Sequence, residues 1–230
     1  MGKKIFSTIL AAFFVLGSVL VSQVQANALY DQKISEAWKL FYSKNFNGAV
    51  EIFTQAMDLN PDDYQSYFGR GTSYLELKNF EKALTDLNRA IAINPNDEKV
   101  YNSRGRTYFH LKNFDSAIAD LNTAIEINPQ DFNSYHFLGF IYNVLQKYDA
   151  AIRNFDKAIE LNPQFEWAYK NRGLSYFYLK NYKQALRNFN KALKINPNNF
   201  AVYNDRANCY KALAESDFAK AEQLKSKIAG

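Results

Sequence analysis

The sequence predicts an all-α protein built from stacked two-helix repeats. An Asn-Pro pair recurs with a constant period of 34, and these pairs contain all five prolines: Asn60-Pro61, Asn94-Pro95, Asn128-Pro129, Asn162-Pro163 and Asn196-Pro197. Each interval holds two segments with helical periodicity, and a short polar turn separates them. A fixed period of this length is typical of a solenoid, in which each unit packs only against its neighbours.

The first helix of each repeat has a small residue at a fixed position. Placing each proline at position 32 gives the repeats 30–63, 64–97, 98–131, 132–165 and 166–199, followed by a shorter segment, 200–230. Position 8 is always small: Ala37, Gly71, Gly105, Gly139, Gly173 and Ala207. Aromatic residues dominate positions 4 and 11. Positions 4, 7, 8 and 11 share one face of a helix, which predicts that this face is the core stripe.

The second helix has small residues on either side of a large one. Alanine occupies positions 20 and 27, as in Ala83 and Ala90, and position 24 between them is Phe or Leu. The Asn-Pro pair ends this helix, because proline disfavours the helical conformation in the residue before it. In the turn between the helices, an Asn at position 16 is expected to take the left-handed conformation. Three acids are predicted to cap the following helices: Asp62, Asp97 and Asp131.

These columns closely resemble the tetratricopeptide repeat family, whose pattern has an aromatic at 4, Gly at 8, Tyr at 11, Ala at 20, Phe at 24, Ala at 27 and Pro at 32. The resemblance covers residues 30–199 and implies a right-handed α-α superhelix of paired antiparallel helices. The last segment departs from the pattern: residues 214–218 replace the usual turn, and proline is absent. Residues 200–230 are therefore expected to form a degenerate sixth repeat with a C-terminal cap helix.

Residues 1–26 resemble a secretory signal peptide. A basic start at Lys3-Lys4 precedes the apolar run 5–21, and Val24 and Ala26 are small residues at the sites a signal peptidase reads. Cleavage is expected after Ala26, with a second possible cut after Ala28. Export to a bacterial periplasm follows as the favoured location. The alternative is an uncleaved anchor, although the run 5–21 is at the short limit for a membrane span.

Composition argues against several classes of function. The net charge of +5 falls to +3 once Lys3 and Lys4 are removed, and no basic run indicates nucleic-acid binding. Cys209 is the only cysteine, and His110 and His136 are the only histidines, too few ligands for a zinc site. No catalytic motif is present. We therefore expect no catalytic residues, no bound metal and no cofactor.

Arginine recurs at position 7, in Arg70, Arg104, Arg172 and Arg206, and two interpretations are open. A ladder of arginines could bind phosphate groups. The favoured interpretation is a pairing inside each repeat with the Asp or Asn at position 23, because partly buried arginine favours such partners.

The resemblance also implies where a partner would bind. In tetratricopeptide proteins, positions 2, 5, 9, 12 and 13 of the first helix line the concave groove. In repeats three to five these positions carry no acid, three cations and five aromatics. Aromatic residues and arginine are typical interface anchors. The groove residues predicted here are Lys99, Asn102, Arg106, Phe109, His110, His136, Phe140, Trp167, Lys170, Phe177 and Tyr178.

The expected function is therefore a non-catalytic scaffold that binds a protein or peptide segment carrying apolar side chains and acidic groups. The carboxylate clamp of chaperone-binding members is not carried over, because Lys170 is followed by Leu174 rather than Asn. Two alternatives remain open at this stage. One is a membrane-anchored scaffold for an envelope assembly or secretion complex. The other is an accessory subunit of an enzyme or metal-dependent complex.

Overall fold

The computed structural model describes residues 24–229, and no strand occurs within that range. The predicted signal peptide lies outside it apart from residues 24–26, which belong to the first described helix, α1, over residues 24–42. The other helices are α2 (Phe46–Leu59), α3 (Tyr64–Glu76), α4 (Phe80–Ile93), α5 (Glu98–His110), α6 (Phe114–Ile127), α7 (Phe132–Val144), α8 (Tyr148–Leu161), α9 (Glu166–Tyr178), α10 (Tyr182–Ile195) and α11 (Phe200–Ala229).

The chain forms two compact units, which meet in sequence between Leu111 and Lys112. Unit 1 contains α1–α5, and unit 2 contains α6–α11. Within each unit, each helix packs against the next one along the chain. First helices of neighbouring repeats also touch, α3 with α5 and α7 with α9. This packing confirms the predicted all-α class of consecutive helix pairs.

The second helices are buried along the predicted columns. Alanine at positions 20 and 27 and the large residue at 24 are almost completely excluded from solvent in all five repeats. In the fourth repeat, for example, Phe155 lies between Ala151 and Ala158 on the buried face of α8. These side chains form the apolar centre of each repeat.

The first helices are buried on two sides, whereas the sequence predicts a single stripe. Positions 4, 7 and 11 are mostly half-buried, and the fully buried columns are positions 3 and 10, as in Val100 and Thr107. A Cβ on Gly173, at position 8, would lie 2.7 Å from Phe189 of the same repeat, whereas a Cβ on Gly69, at position 6, would meet Phe53 of the preceding repeat. The first helices α3, α7 and α9 therefore each pack against two second helices, their own and the preceding one.

The turn within each repeat differs from the prediction by one residue. The left-handed conformation belongs to position 15, at Lys44, Lys78, Lys112, Gln146 and Lys180, with φ between 58° and 64°. The Asn at position 16 instead caps the second helix. In three repeats its side chain accepts a hydrogen bond from the backbone three residues later, as Asn45 does from Gly48. The capping bond satisfies an unpaired N–H at the helix start, which explains why Asn stands at position 16.

Two of the three predicted acidic caps are confirmed. Asp97 and Asp131 accept hydrogen bonds from the first backbone N–H groups of α5 and α7. The cap of α3 is Asp63 rather than Asp62. Asp62 is exposed, with its carboxylate 3.9 Å from Arg89. Adjacent acids in the sequence cannot be told apart by pattern, because only backbone geometry decides which one faces the helix start.

The final segment contains one helix rather than a helix pair. α11 continues without a break from Phe200 to Ala229, through the residues 214–218 where the sequence predicts a turn. Without an Asn-Pro pair or a left-handed residue, nothing in this segment stops the helix. The polar tail at 222–227 is exposed, as expected for the end of a solenoid.

Candidate functional site

The arginines at position 7 bind the partners that the sequence predicts. Arg70 forms a two-pronged ion pair with Asp86, with Nε to Oδ2 and Nη2 to Oδ1 both 2.8 Å. Asp86 is almost fully buried, and this pairing raises the pKa of Arg70 further above its ordinary value. Arg172 Nε donates a hydrogen bond to Oδ1 of Asn188 at 2.8 Å. The pairing within the repeat is confirmed for these two residues.

Each arginine also reaches the preceding repeat, a contact that sequence reasoning missed. The second acceptor lies sixteen residues earlier, at position 25, and the four pairs are Arg70 with Thr54, Arg104 with Asn88, Arg172 with Asp156, and Arg206 with Asn190. An acceptor at a constant offset of sixteen is visible in the sequence once both columns are aligned. The arginines thus join neighbouring repeats, which favours the structural interpretation over a phosphate-binding ladder.

The tyrosines at positions 4 and 11 flank these arginines. The Arg104 guanidinium lies 5.6 Å from the ring centre of Tyr101 and 5.8 Å from that of Tyr108. The Arg172 guanidinium lies 5.5 Å from the ring of Tyr169. Such cation–π contacts stabilise a partly buried guanidinium. The aromatic columns therefore hold the arginines in place as well as filling space.

In unit 1, the predicted groove residues lie on α5. Lys99 is exposed, Asn102 and Phe109 are half-buried, and Arg106 forms an ion pair with Glu76 at 3.1 Å. His110 stacks face to face on Phe80 with ring centres 5.0 Å apart. Desolvation, helped by nearby Arg106, lowers the pKa of His110. Glu76 belongs to the second repeat, so the acid-free pattern of repeats three to five does not describe all charges here.

A second aromatic cluster in unit 1 was missed by the sequence analysis. Trp38 packs edge-on against Phe41 and Phe53 and lies 5.6 Å from Phe68. Tyr42 stacks on Trp38 and is largely exposed. Positions 5, 9, 12 and 13 supply Phe68, Trp38, Phe41 and Tyr42, so the same columns are aromatic in the first two repeats as well. These aromatic residues of repeats one and two can be read directly from the sequence once the repeats are placed in register.

In unit 2, His136 lies inside the packing rather than on an open surface. Its ring contacts Phe155 and Phe165, and Asn171 Nδ2 lies 2.9 Å from its Nε2. Burial lowers the pKa of His136 to about 4. Since the ring is neutral when folded but titrates near 6.5 when unfolded, its contribution to stability is present above pH 6.5 and is lost as the pH falls towards 4.

Trp167 and Lys170 form one end of the exposed surface of α9. Trp167 is 47% exposed, and the Lys170 ammonium lies 5.3 Å from the centre of its ring. Lys170 also lies 3.9 Å from Oδ2 of Asp205, an atom buried without a hydrogen-bond partner. Burial raises the pKa of Asp205, and Lys170 opposes that rise. The positive charge predicted for Lys170 is therefore partly neutralised.

Tyr178 marks the other end of the same helix. Its side chain is 56% exposed and stacks on Tyr148 with ring centres 5.3 Å apart. Phe177 is half-buried between Tyr178 and Tyr182, and Phe140 is half-buried on α7. Trp167 and Tyr178 are eleven residues apart, about 16 Å along a helix. These exposed rings at the two ends of α9 frame a surface long enough for a short peptide.

Models of the tetratricopeptide repeat match residues 64–97, 98–131 and 166–199, and related repeat models match 141–179 and 188–223. Together the matches cover about two thirds of the chain. The chain belongs to the tetratricopeptide repeat family. Members of this family are in general non-catalytic scaffolds that bind proteins or peptides.

Solved structures of other tetratricopeptide proteins share the fold. PilF of Pseudomonas aeruginosa has a TM-score of 0.73 at 16% identity, covering 90% of this chain and 93% of its own. TTC0263 of Thermus thermophilus has a TM-score of 0.67 at 20% identity, covering 80% and 99%. YrrB, described as a TPR protein with an unusual peptide-binding site, has a TM-score of 0.60 at 22% identity, covering 76% and 90%. A search of curated proteins finds no match.

Three further features of this tetratricopeptide protein concern metal binding, membrane spans and the single cysteine. Within residues 24–229, no group of three or more His, Cys, Asp or Glu side chains is placed to hold a metal ion. In the same part of the chain, no helix is both long enough and apolar enough to span a membrane. Cys209 is buried, and burial raises the pKa of its thiol.

Proposed function

We propose that this protein is a non-catalytic scaffold that binds a segment of another protein along the first helices of its repeats. The observation that carries the proposal is the pair of exposed aromatic sites on α9, with Trp167 beside Lys170 at one end and Tyr178 stacked on Tyr148 at the other. Tryptophan and tyrosine are among the residues that most often anchor a protein interface, and here each exposed ring is held by a neighbouring side chain. YrrB, which has a similar fold, is described as a TPR protein with a peptide-binding site, and this supports the proposal.

The chemistry of the surface favours a partner with apolar side chains and some negative charge. In unit 2 the aromatic rings supply the apolar contacts, while Asp205 weakens the attraction of Lys170 for acids. In unit 1 the exposed Lys99 and the ion-paired Arg106 carry the positive charge. We therefore expect apolar contacts to set the affinity and charge to set mainly the association rate.

Trp167→Ala is expected to weaken partner binding about 30-fold, since losing an aromatic anchor of an interface costs about 2 kcal/mol. The probe is a peptide selected from a random library on the chain lacking residues 1–26, with affinity measured by fluorescence anisotropy. Selected peptides should combine aromatic or aliphatic residues with Asp or Glu. Because Trp167 is 47% exposed, its replacement should leave the helical circular dichroism unchanged.

Lys157→Ala is the matched control, at a residue outside the predicted groove positions. Lys157 lies on the second helix α8, where it pairs with Glu160 at 2.6 Å. This variant should bind the peptide as tightly as the parent. If Lys157→Ala lost affinity and Trp167→Ala retained it, the binding surface would lie on the second helices instead.

We further propose that the protein is exported, with removal of residues 1–26. The basic, apolar and small-residue order of that segment supports the proposal. Mass spectrometry of the protein from a producing bacterium should show a chain beginning at Asn27, or at Leu29 after the second possible cut. An intact Met1 terminus in the membrane fraction would contradict cleavage and favour a membrane-anchored scaffold.

A further inference from the structure

The helix α11 presents a long apolar stripe to solvent. Its members share one face of the helix, and all are exposed: Phe200, Tyr203, Ala207, Tyr210, Ala214, Phe218, Ala221, Leu224 and Ile228. The opposite face packs on α10 through Val202 and Cys209, which are fully buried. Between Phe200 and Tyr210 the stripe therefore points away from α10.

The spacing of this stripe is that of a helix-pairing seam. Phe200, Ala207, Ala214, Ala221 and Ile228 recur every seven residues, and Tyr203, Tyr210 and Leu224 fall at the second seam position three residues later. We name these two columns a and d. Asp217 occupies the remaining d position, next to the exposed ring of Phe218. From Phe200 to Ile228 the seam is about 42 Å long along a helix.

The other repeats show what covers this face. Tyr203, Ala207 and Tyr210 occupy positions 4, 8 and 11, and at position 8 the glycines of α7 and α9 lie against Phe155 and Phe189 of the following helix. Tyr169 at position 4 is only 8% exposed in the fifth repeat, where α10 covers it, whereas Tyr203 is 45% exposed. Within the described chain no helix follows α11. In repeats two, four and five the corresponding face of the first helix is covered by the second helix of the repeat.

The borders of the stripe are basic. The heptad positions that flank the seam, e and g, hold Asn204, Arg206, Lys211, Leu213, Phe218, Lys220, Lys225 and Lys227, with five cations and no acid. Of these cations, Arg206 already has partners within the protein, because it donates a hydrogen bond to Asn190 and lies over the Tyr203 ring. The other four are exposed lysines. The acids Glu215 and Glu222 lie one column further from the seam.

We propose that the stripe on α11 binds an amphipathic helix of a partner protein whose flanking positions are acidic. Small alanines at the three central a positions admit close approach of another helix, and charges at e and g select the partner. A second copy of α11 would place lysines opposite lysines, which disfavours self-pairing in either orientation. A lipid surface is disfavoured because Asp217 lies in the centre of the stripe. The site is separate from the first-helix surface proposed above.

A designed pair of peptides tests this proposal. The first probe is a helix of four heptads with alanine at a, leucine at d and glutamate at e and g; the second has lysine at e and g. The chain lacking residues 1–26 should bind the glutamate peptide at least tenfold more tightly in fluorescence anisotropy. That preference should shrink in about 0.5 M salt, because screening weakens exposed charge pairs.

Tyr210→Lys and Leu224→Lys, both at d positions, should each weaken binding of the glutamate peptide at least tenfold. Ser216→Lys is the matched control, because Ser216 is exposed on a different face of the same helix. All three replaced residues are exposed, and Trp167→Ala should not affect this binding. Unchanged binding in both stripe variants would overturn the proposal.

The other possible occupants give distinct results. Sedimentation that shows a dimer, lost in Tyr210→Lys, would identify the occupant as a second copy and overturn the proposal. Binding to vesicles of anionic phospholipid without binding of either peptide would identify a lipid surface and also overturn it. Equal affinity for the glutamate and lysine peptides would show that the stripe does not select its partner by charge, and this result would also overturn the proposal.

Discussion

Arg70→Leu is expected to lower the free energy of unfolding of unit 1 by about 3–5 kcal/mol, because it leaves a buried carboxylate without its partner. Asp86 is almost fully buried, and both of its oxygens accept bonds from Arg70. The two tryptophans separate the units, since Trp38 lies in unit 1 and Trp167 in unit 2. Urea denaturation followed by Trp38 fluorescence in a Trp167→Phe background therefore reports on unit 1.

The chain supplies its own controls for this experiment. Arg172→Leu should cost less, because its partner within the repeat is the neutral Asn188, and its other partner, Asp156, is half-exposed. The fourth repeat has Leu138 at position 7 and Asn154 at position 23, and Asn154 bonds instead to the Ala150 carbonyl at 2.9 Å. Arg70→Leu with Asp86→Asn copies that arrangement and should recover most of the loss. A double variant as unstable as Arg70→Leu would show that the unpaired carboxylate is not the cause.

Gly139→Leu should destabilise unit 2 by about 1–3 kcal/mol or more, since the new side chain has no space to occupy. Even a Cβ at this position would lie 2.8 Å from the Phe155 ring and 3.1 Å from the Ala151 carbonyl oxygen. Amide hydrogen exchange should show faster opening of both α7 and α8. The neighbouring α9 should also exchange faster, because the stability of a solenoid depends on nearest-neighbour contacts.

Asn133→Leu in the same helix is the control for this variant. Asn133 is exposed on α7, so leucine there adds the same side chain without filling a packed space. Its exchange rates should stay close to those of the parent protein. Equal destabilisation by both variants would mean that the helix pair is not packed through position 8.

The sequence is most informative about features that depend on contacts within a single repeat. The columns of Ala83, Leu87 and Ala90 recur in register in the sequence, and these residues are fully buried. Sequence reasoning was incomplete where burial depends on two neighbours at once. A helical wheel assumes one buried face, so positions 3 and 10 were missed, although Ser73 and Thr107 are fully buried there.

The candidate binding surface was predicted less completely than the fold. The arc of positions 2, 5, 9, 12 and 13 includes the exposed Trp167 and Tyr178, but also the half-buried His136, whose ring lies against Phe155 and Phe165. Spacing cannot distinguish these cases, because the residues that contact His136 lie outside its own helix, Phe155 on α8 and Phe165 at the N-cap of α9. The same reason explains why the charge of Lys170 was overestimated, since Asp205 lies on α11.

The family and the all-α class follow from the constant spacing of the Asn-Pro pairs and the columns in register with them, and the same columns favoured the pairing of Arg70 with Asp86 over a phosphate-binding ladder. Tertiary structure alone decided which side chains remain exposed. It also decided that residues 214–218 continue a helix and that the face of Tyr203 and Tyr210 has no covering helix in the described part of the chain. The physical reason is that exposure depends on what the neighbouring helices bury, and a periodic sequence pattern describes each helix without its neighbours.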